Sequence, residues 1–100
     1  MAVRTLIWSP EAQEDLDEIL AFYRERNGNS EYSDRLSEEI RKALERVVSN
    51  PKCGPRWIKR GFRSVNVKPF QVFYRVTKTE IRVSRVWDAR RNPDTLKLTR

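Results

Sequence analysis

The side chains here that could do chemistry are mostly guanidinium groups. Arg63, Arg75, Arg82, Arg85, Arg90 and Arg91 recur along three strand-like segments and the tail that follows them. Aromatic residues are interleaved with the basic ones: Arg56-Trp57, Lys59-Arg60, Phe62-Arg63, Tyr74-Arg75, and Arg85 with Trp87. Guanidinium groups pair with phosphate or carboxylate and can stabilise the charge on a phosphate under attack. Neighbouring aromatics can add base stacking. The chain has no histidine. That removes the usual proton carrier near neutral pH, the Ser-His-Asp and Cys-His arrangements, and every histidine-containing metal site. A nuclease made from this sequence would have to move protons with Tyr, Lys or Glu. Tyr74 is the one tyrosine of the C-terminal half, and its alternation with Val72 and Val76 turns the ring towards a core. Cys53 is the single cysteine, so no internal disulfide can form, and with no proton acceptor near it in sequence we read it as incidental. The three acids of the second half are dispersed, and no metal or cofactor is implied.

The charge is divided unequally. Residues 1–50 carry 7 Lys+Arg against 11 Asp+Glu, a net of −4; residues 51–100 carry 14 against 3, a net of +11, giving the total of +7. Such an imbalance suggests an anionic partner for the second half, nucleic acid or an acidic protein, beyond what solubility requires. One hundred residues at 38% hydrophobic and 35% charged make one domain, 1–100, with a thin core. No stretch approaches the eighteen or so apolar residues of a membrane span, and the apolar run before Ser9-Pro10 is too short for a signal peptide. A cytoplasmic protein is the expectation.

The elements that must position these arginines follow from periodicity. "VRTLIW" (3–8) reads as a strand. Ser9 is a good N-cap, Pro10 suits the first helical position, and Glu11, Glu14 and Asp15 complement the helix dipole. Ala12, Leu16, Ile19, Leu20 and Tyr23 recur at helical spacing until Asn27-Gly28. A second helix starts near Ser30, carries the stripe Leu36, Ile40, Ala43, Leu44, Val47 and Val48, and stops at Asn50-Pro51. The short link makes the two helices an antiparallel hairpin. Residues 52–61 read as a loop. Strands follow over 62–68, 70–76 and 80–88, with turns at Pro69 and Lys78-Thr79, and Asn92-Pro93 ends the last segment. The expectation is an α+β fold, β-α-α-β-β-β, with an antiparallel sheet and an N-terminal helical hairpin packed on one face.

On that sheet, Phe70, Val72, Tyr74 and Trp87 are expected to face the helices. The six arginines are expected to be gathered by their strands into one grip. Trp57 and Arg60 sit in the loop, either as interface residues or with Trp57 plugging the sheet edge; the sequence leaves both open.

The order of "SPEAQEDLDEILAFY", a second amphipathic helix ending in "NP", "GFRSVNVKPFQVFYRV" and "RVWDARRNP" resembles the RelE/ParE superfamily of type II toxins over essentially the whole chain. The resemblance implies a bacterial toxin of the same β-α-α-β-β-β fold. It also implies a toxin–antitoxin hetero-oligomer, in which an acidic, partly disordered antitoxin segment wraps the toxin. RelE-like members cut mRNA on the ribosome; ParE-like members inhibit DNA gyrase. This sequence departs from the nucleases at Gln71, where they carry a basic residue, and near Phe62 and Ser64, where they carry lysines. Its tail, "NPDTLKLTR", lacks their late Tyr or His. The ending "RVWDARR" looks more like ParE. The resemblance therefore favours a gyrase inhibitor without enzymatic activity, its binding residues drawn from Trp57, Arg60, Arg63, Arg75, Arg82, Arg85, Arg90 and Arg91. The alternative is a ribosome-dependent endoribonuclease using Arg63, Arg90 and Arg91.

Overall fold

The computed structural model describes residues 3–53, 61–91 and 96. Its elements run β1 (Thr5–Trp8), α1 (Pro10–Asn27), α2 (Glu31–Ser49), β2 (Arg63–Val67), β3 (Phe70–Val76) and β4 (Glu80–Asp88). This is the expected order. The helix ends are set by the expected residues. The Ser9 hydroxyl accepts the Ala12 N–H, Pro10 occupies the first turn, and Gly28 closes α1 at φ 72° with its own N–H on the Arg24 carbonyl. That left-handed conformation is open to glycine without a Cβ penalty.

The helical hairpin packs on one face of the sheet. Its inward stripe is Ala12 from α1 and Leu36, Ile40, Ala43, Leu44 and Val47 from α2, all buried. Leu16, Ile19, Leu20 and Tyr23 of α1 are only partly buried against the same core, so α2 is the deeper helix. Ser33 is the polar exception in that core; its hydroxyl donates to the Leu20 carbonyl at 2.8 Å and ties the two helices together.

The strand order is β1-β4-β3-β2. The β2–β3 and β3–β4 pairs are antiparallel, as their tight turns require, and the Lys68–Pro69 bond in the first turn is cis. The expectation of a wholly antiparallel sheet needs correction, because β1 joins β4 in parallel, with Leu6 opposite Ile81 and Trp8 opposite Val83. Short connections constrain only strands that follow one another. Between β1 and β4 lie the hairpin and two further strands, a connection long enough to permit parallel pairing.

A second correction concerns β4. Phe73 pairs with Arg85, but the next residue, Tyr74, pairs with Val83, so Ser84 is an extra residue on β4. One inserted residue reverses which face every later side chain occupies. Unbroken alternation would have put Val83 and Trp87 on the same face. Instead, Val83 and Val86 both join the helix-side core, opposite Tyr74 and Val72 respectively, and Trp87 turns to the other face.

Candidate functional site

The helix-free face of the sheet is where the register assembles basic side chains. It carries Arg75 of β3 directly opposite Arg82 of β4, and past the bulge Arg85 and Trp87 beside Phe73 and Gln71. Beneath this layer lie Phe73 (0% exposed) and Trp87 (4%), with Phe62 (0%) just before β2. None of the three belongs to the helix-side core clusters. Guanidinium groups lie over two of these rings: Arg75 over Phe62 at 5.3 Å, and Arg91 and Arg85 over Trp87 at 4.4 and 5.7 Å. The contacts of Arg75 and Arg91 are cation–π contacts that hold an arginine on the surface without neutralising it. The Trp87 Nε1 is buried with no hydrogen-bond partner among the described residues.

The arginines differ in how far their charge is already matched. Arg82 pairs with Glu80 two residues away on its own strand at 2.8 Å, and both are accessible. Arg75 and Arg91 have no carboxylate partner among the described residues. Arg85 is different: its guanidinium grips Asp15 of α1 at 2.6 and 3.0 Å, with both side chains largely buried. The same carboxylate accepts the Val86 N–H at 3.0 Å. Hydrogen bonds to the Asp15 carboxylate, reinforced by the charges of Asp15, Glu11 and Glu14, hold Arg85 more firmly protonated than usual. Arg85 is therefore a structural arginine.

The reason lies at the edge of β4. β1 covers that edge only as far as Val83. Beyond it the backbone of β4 would be unpaired, and buried unpaired groups are costly. The start of α1 takes over. The Ser9 N–H donates to the Val83 carbonyl, the Ser9 hydroxyl donates to the Ser84 carbonyl, and Asp15 accepts from Val86. Asp15 thus serves the β4 edge, beyond the general dipole role given to it from sequence. A signal was present: Asp15 stands three residues after Ala12 and four before Ile19, on the stripe that faces the sheet.

Two arginines expected in the grip lie elsewhere. Arg63 pairs in register with Tyr74, two residues before the helix-side Val65, which places it on the helix side. Arg90 folds back on Asp88 with bonds of 2.9 and 2.7 Å and reaches the Tyr23 hydroxyl of α1 at 3.4 Å. That clamp lowers the Asp88 carboxyl below its ordinary pKa, chiefly through the Arg90 side-chain hydrogen bond. Tyr74 is fully buried, and its hydroxyl donates to the Pro51 carbonyl, as its alternation implied. Trp57, Arg60 and the Asn92-Pro93 stop lie outside the described residues. Cys53 is exposed.

Two grooves flank the hairpin. One lies between the outer side of β1 and α2, lined by Leu6, Trp8, Arg41, Leu44 and Val48. The other lies between α1 and the end of β4, where Phe22, Tyr23 and Phe70 meet Arg26 and Arg90. Phe22 is 53% exposed there. Among the described residues no group of His, Cys, Asp and Glu could hold a metal, and no helix is long and apolar enough to cross a membrane.

The fold and sequence have clear relatives. One solved structure, of the chromosomal ParDE toxin–antitoxin system from P. aeruginosa, superposes with a TM-score of 0.73 at 26% identity, over 86% of this chain and 96% of that one. The YoeB dimer from Staphylococcus aureus has a TM-score of 0.63 at 18% identity, over 86% and 97% of the respective chains. A chain of the E. coli DinJ-YafQ toxin–antitoxin complex has a TM-score of 0.57 at 14% identity, over 87% and 93%. The last two show a shared fold. No curated protein sequence matches. Residues 6–93 match the family described as the ParE toxin of the type II toxin–antitoxin system parDE. The chain therefore belongs to the ParE toxin family.

Proposed function

We propose that this protein is a cytoplasmic toxin that inhibits DNA gyrase without cutting RNA and is neutralised by a cognate acidic antitoxin. Membership of the ParE family over residues 6–93 is the observation that carries this reading. The dispersal of the residues a nuclease would need supports it. Arg63 lies on the helix side of the sheet, Arg90 is clamped by Asp88 beside α1, and Arg91 lies over Trp87. Tyr74 is buried and bonded to the main chain, away from any substrate. Arg90 and Arg91 line one groove beside Phe70, but Arg63 stands level with Tyr74, four residues along β3, so the three do not converge on one phosphate.

An antitoxin segment has two kinds of footing here. Charge favours an acidic partner for the +11 half. The groove of Leu6, Trp8, Leu44 and Val48 lies beside β1, an edge strand whose Leu6 and Ile7 are 37% and 38% exposed. An extended or helical segment docking there would cover both.

The test is a supercoiling assay with purified gyrase, run beside translation of a defined message on ribosomes. The expected result is loss of supercoiling with intact message, reversed by the antitoxin. Unchanged supercoiling at saturating, folded toxin would remove the gyrase reading, and codon-positioned cuts would replace it with the endoribonuclease one.

A further inference from the structure

We propose that the helix-free face of the sheet binds the phosphodiester backbone of double-helical DNA, through Arg75, Arg82 and Arg91. The inference rests on the gyrase reading for its setting, because gyrase acts on duplex DNA.

Arg75 and Arg82 are direct cross-strand neighbours. Like charges in that position repel and destabilise a sheet. Only one acid, Glu80, shares this face among the described residues, and it engages Arg82. The pair is thus left with excess positive charge that an anion between the strands would relieve. Arg91 adds a third cation over Trp87. From Arg82 to Trp87 the strand advances about 17 Å at the usual rise per residue. Along the duplex axis that is the rise of about five base pairs. The row therefore has the length to follow a backbone.

The aromatics decide which nucleic acid fits. Single strands are held by bases stacking on exposed rings. Here Phe62, Phe73 and Trp87 are 0 to 4% exposed, and guanidinium groups lie over Phe62 and Trp87. Among the described residues the face offers arginines to phosphates and no open ring to a base. A duplex, whose bases are already stacked, asks for that arrangement. An acidic peptide could also meet the charge, and competition by polyglutamate separates it from a duplex.

The experiment is fluorescence anisotropy of the full-length toxin with a labelled duplex of about thirty base pairs. The same strand unpaired and polyglutamate serve as competitors. The expected result is duplex binding whose log K falls with log salt at a slope of about −3, for three neutralised phosphates. Between 50 and 200 mM salt this is a loss of about forty-fold. Arg75→Gln and Arg82→Gln together should flatten the slope to about −1 and weaken binding at least tenfold. Arg91→Gln alone should remove about one unit of slope. Arg41→Gln, on the helix side and paired with Glu38 and Glu45, should leave DNA binding unchanged. Circular dichroism checks that each variant is folded.

No duplex binding at low salt overturns the proposal. So does preference for the single strand, equal competition by polyglutamate, or an unchanged slope in the folded double variant. The supercoiling assay separates the two readings. If the double variant loses DNA but inhibits gyrase at full potency, the DNA face plays no part in inhibition and the gyrase reading stands. If the unaltered toxin binds duplex yet spares gyrase, the gyrase reading fails and the DNA face remains.

Discussion

Asp15 shows how one side chain can serve several purposes. It neutralises Arg85, satisfies the Val86 N–H and ties α1 to β4. Asp15→Ala would leave a partly buried guanidinium and a backbone donor without their acceptor. The expected loss is about 2–3 kcal/mol, below the range for fully buried pairs because both groups keep some solvent. A shift of the urea midpoint with an unchanged slope would measure it. Asp88 makes a prediction in pH. Its folded-state pKa lies below the ordinary 3.8 because the Arg90 side chain hydrogen-bonds to the carboxylate. A depressed acid contributes stability that is present above its unfolded pKa and lost as pH falls through the folded one. Thermal melts of Asp88→Asn and the parent should therefore differ most above the ordinary carboxylate pKa and converge as pH falls through the lowered folded-state value. A gap that stays constant over that range would refute the assignment.

Among the elements, β4 holds the decisive detail. The extra Ser84 sends Val86 to the helices and Trp87 to the far face. Deleting Ser84 would make Arg85 the direct neighbour of Val83 and restore plain alternation, with Val86 still turned to the helices and Trp87 to the far face. The expected outcome is a folded protein that has lost the bulge and the Ser84 carbonyl that the Ser9 hydroxyl bonds, read as a cooperative thermal transition at a lower midpoint in near-ultraviolet dichroism. On α2, Ile40 is 1% exposed at the centre of the buried stripe. Ile40→Ala should lower stability by about 2–5 kcal/mol in a denaturant titration. α2 was readable as the core helix because six apolar residues recur at its spacing. The bulge was not readable, since a register shift is settled by two strands together and Ser84 carries no mark of it.

At the scale of the whole molecule, the acidic and basic halves of the chain become different surfaces. Residues 1–50 supply the hairpin with its net −4, and the +11 half supplies three of the four strands. An acidic antitoxin segment should be drawn to the basic half, with an association rate that falls steeply with ionic strength. Stopped-flow mixing of toxin and antitoxin over a salt series would measure it; a rate indifferent to salt would dismiss electrostatic steering.

Local chemistry in the sequence determined the helices and their caps, the three C-terminal strands and the presence of a basic half, because each depends on neighbours a few residues apart. Ser9-Pro10, Asn27-Gly28 and Asn50-Pro51 needed nothing distant to act. Tertiary structure alone decided which arginines share a face. Arg75 and Arg82 meet because two strands align them, Arg85 is claimed by Asp15 seventy positions away, and Arg63 is turned to the helices by register. Charge can be counted along a chain, but a partner meets it as a surface, and the surface follows from strand pairing, whose contacts are far apart in sequence.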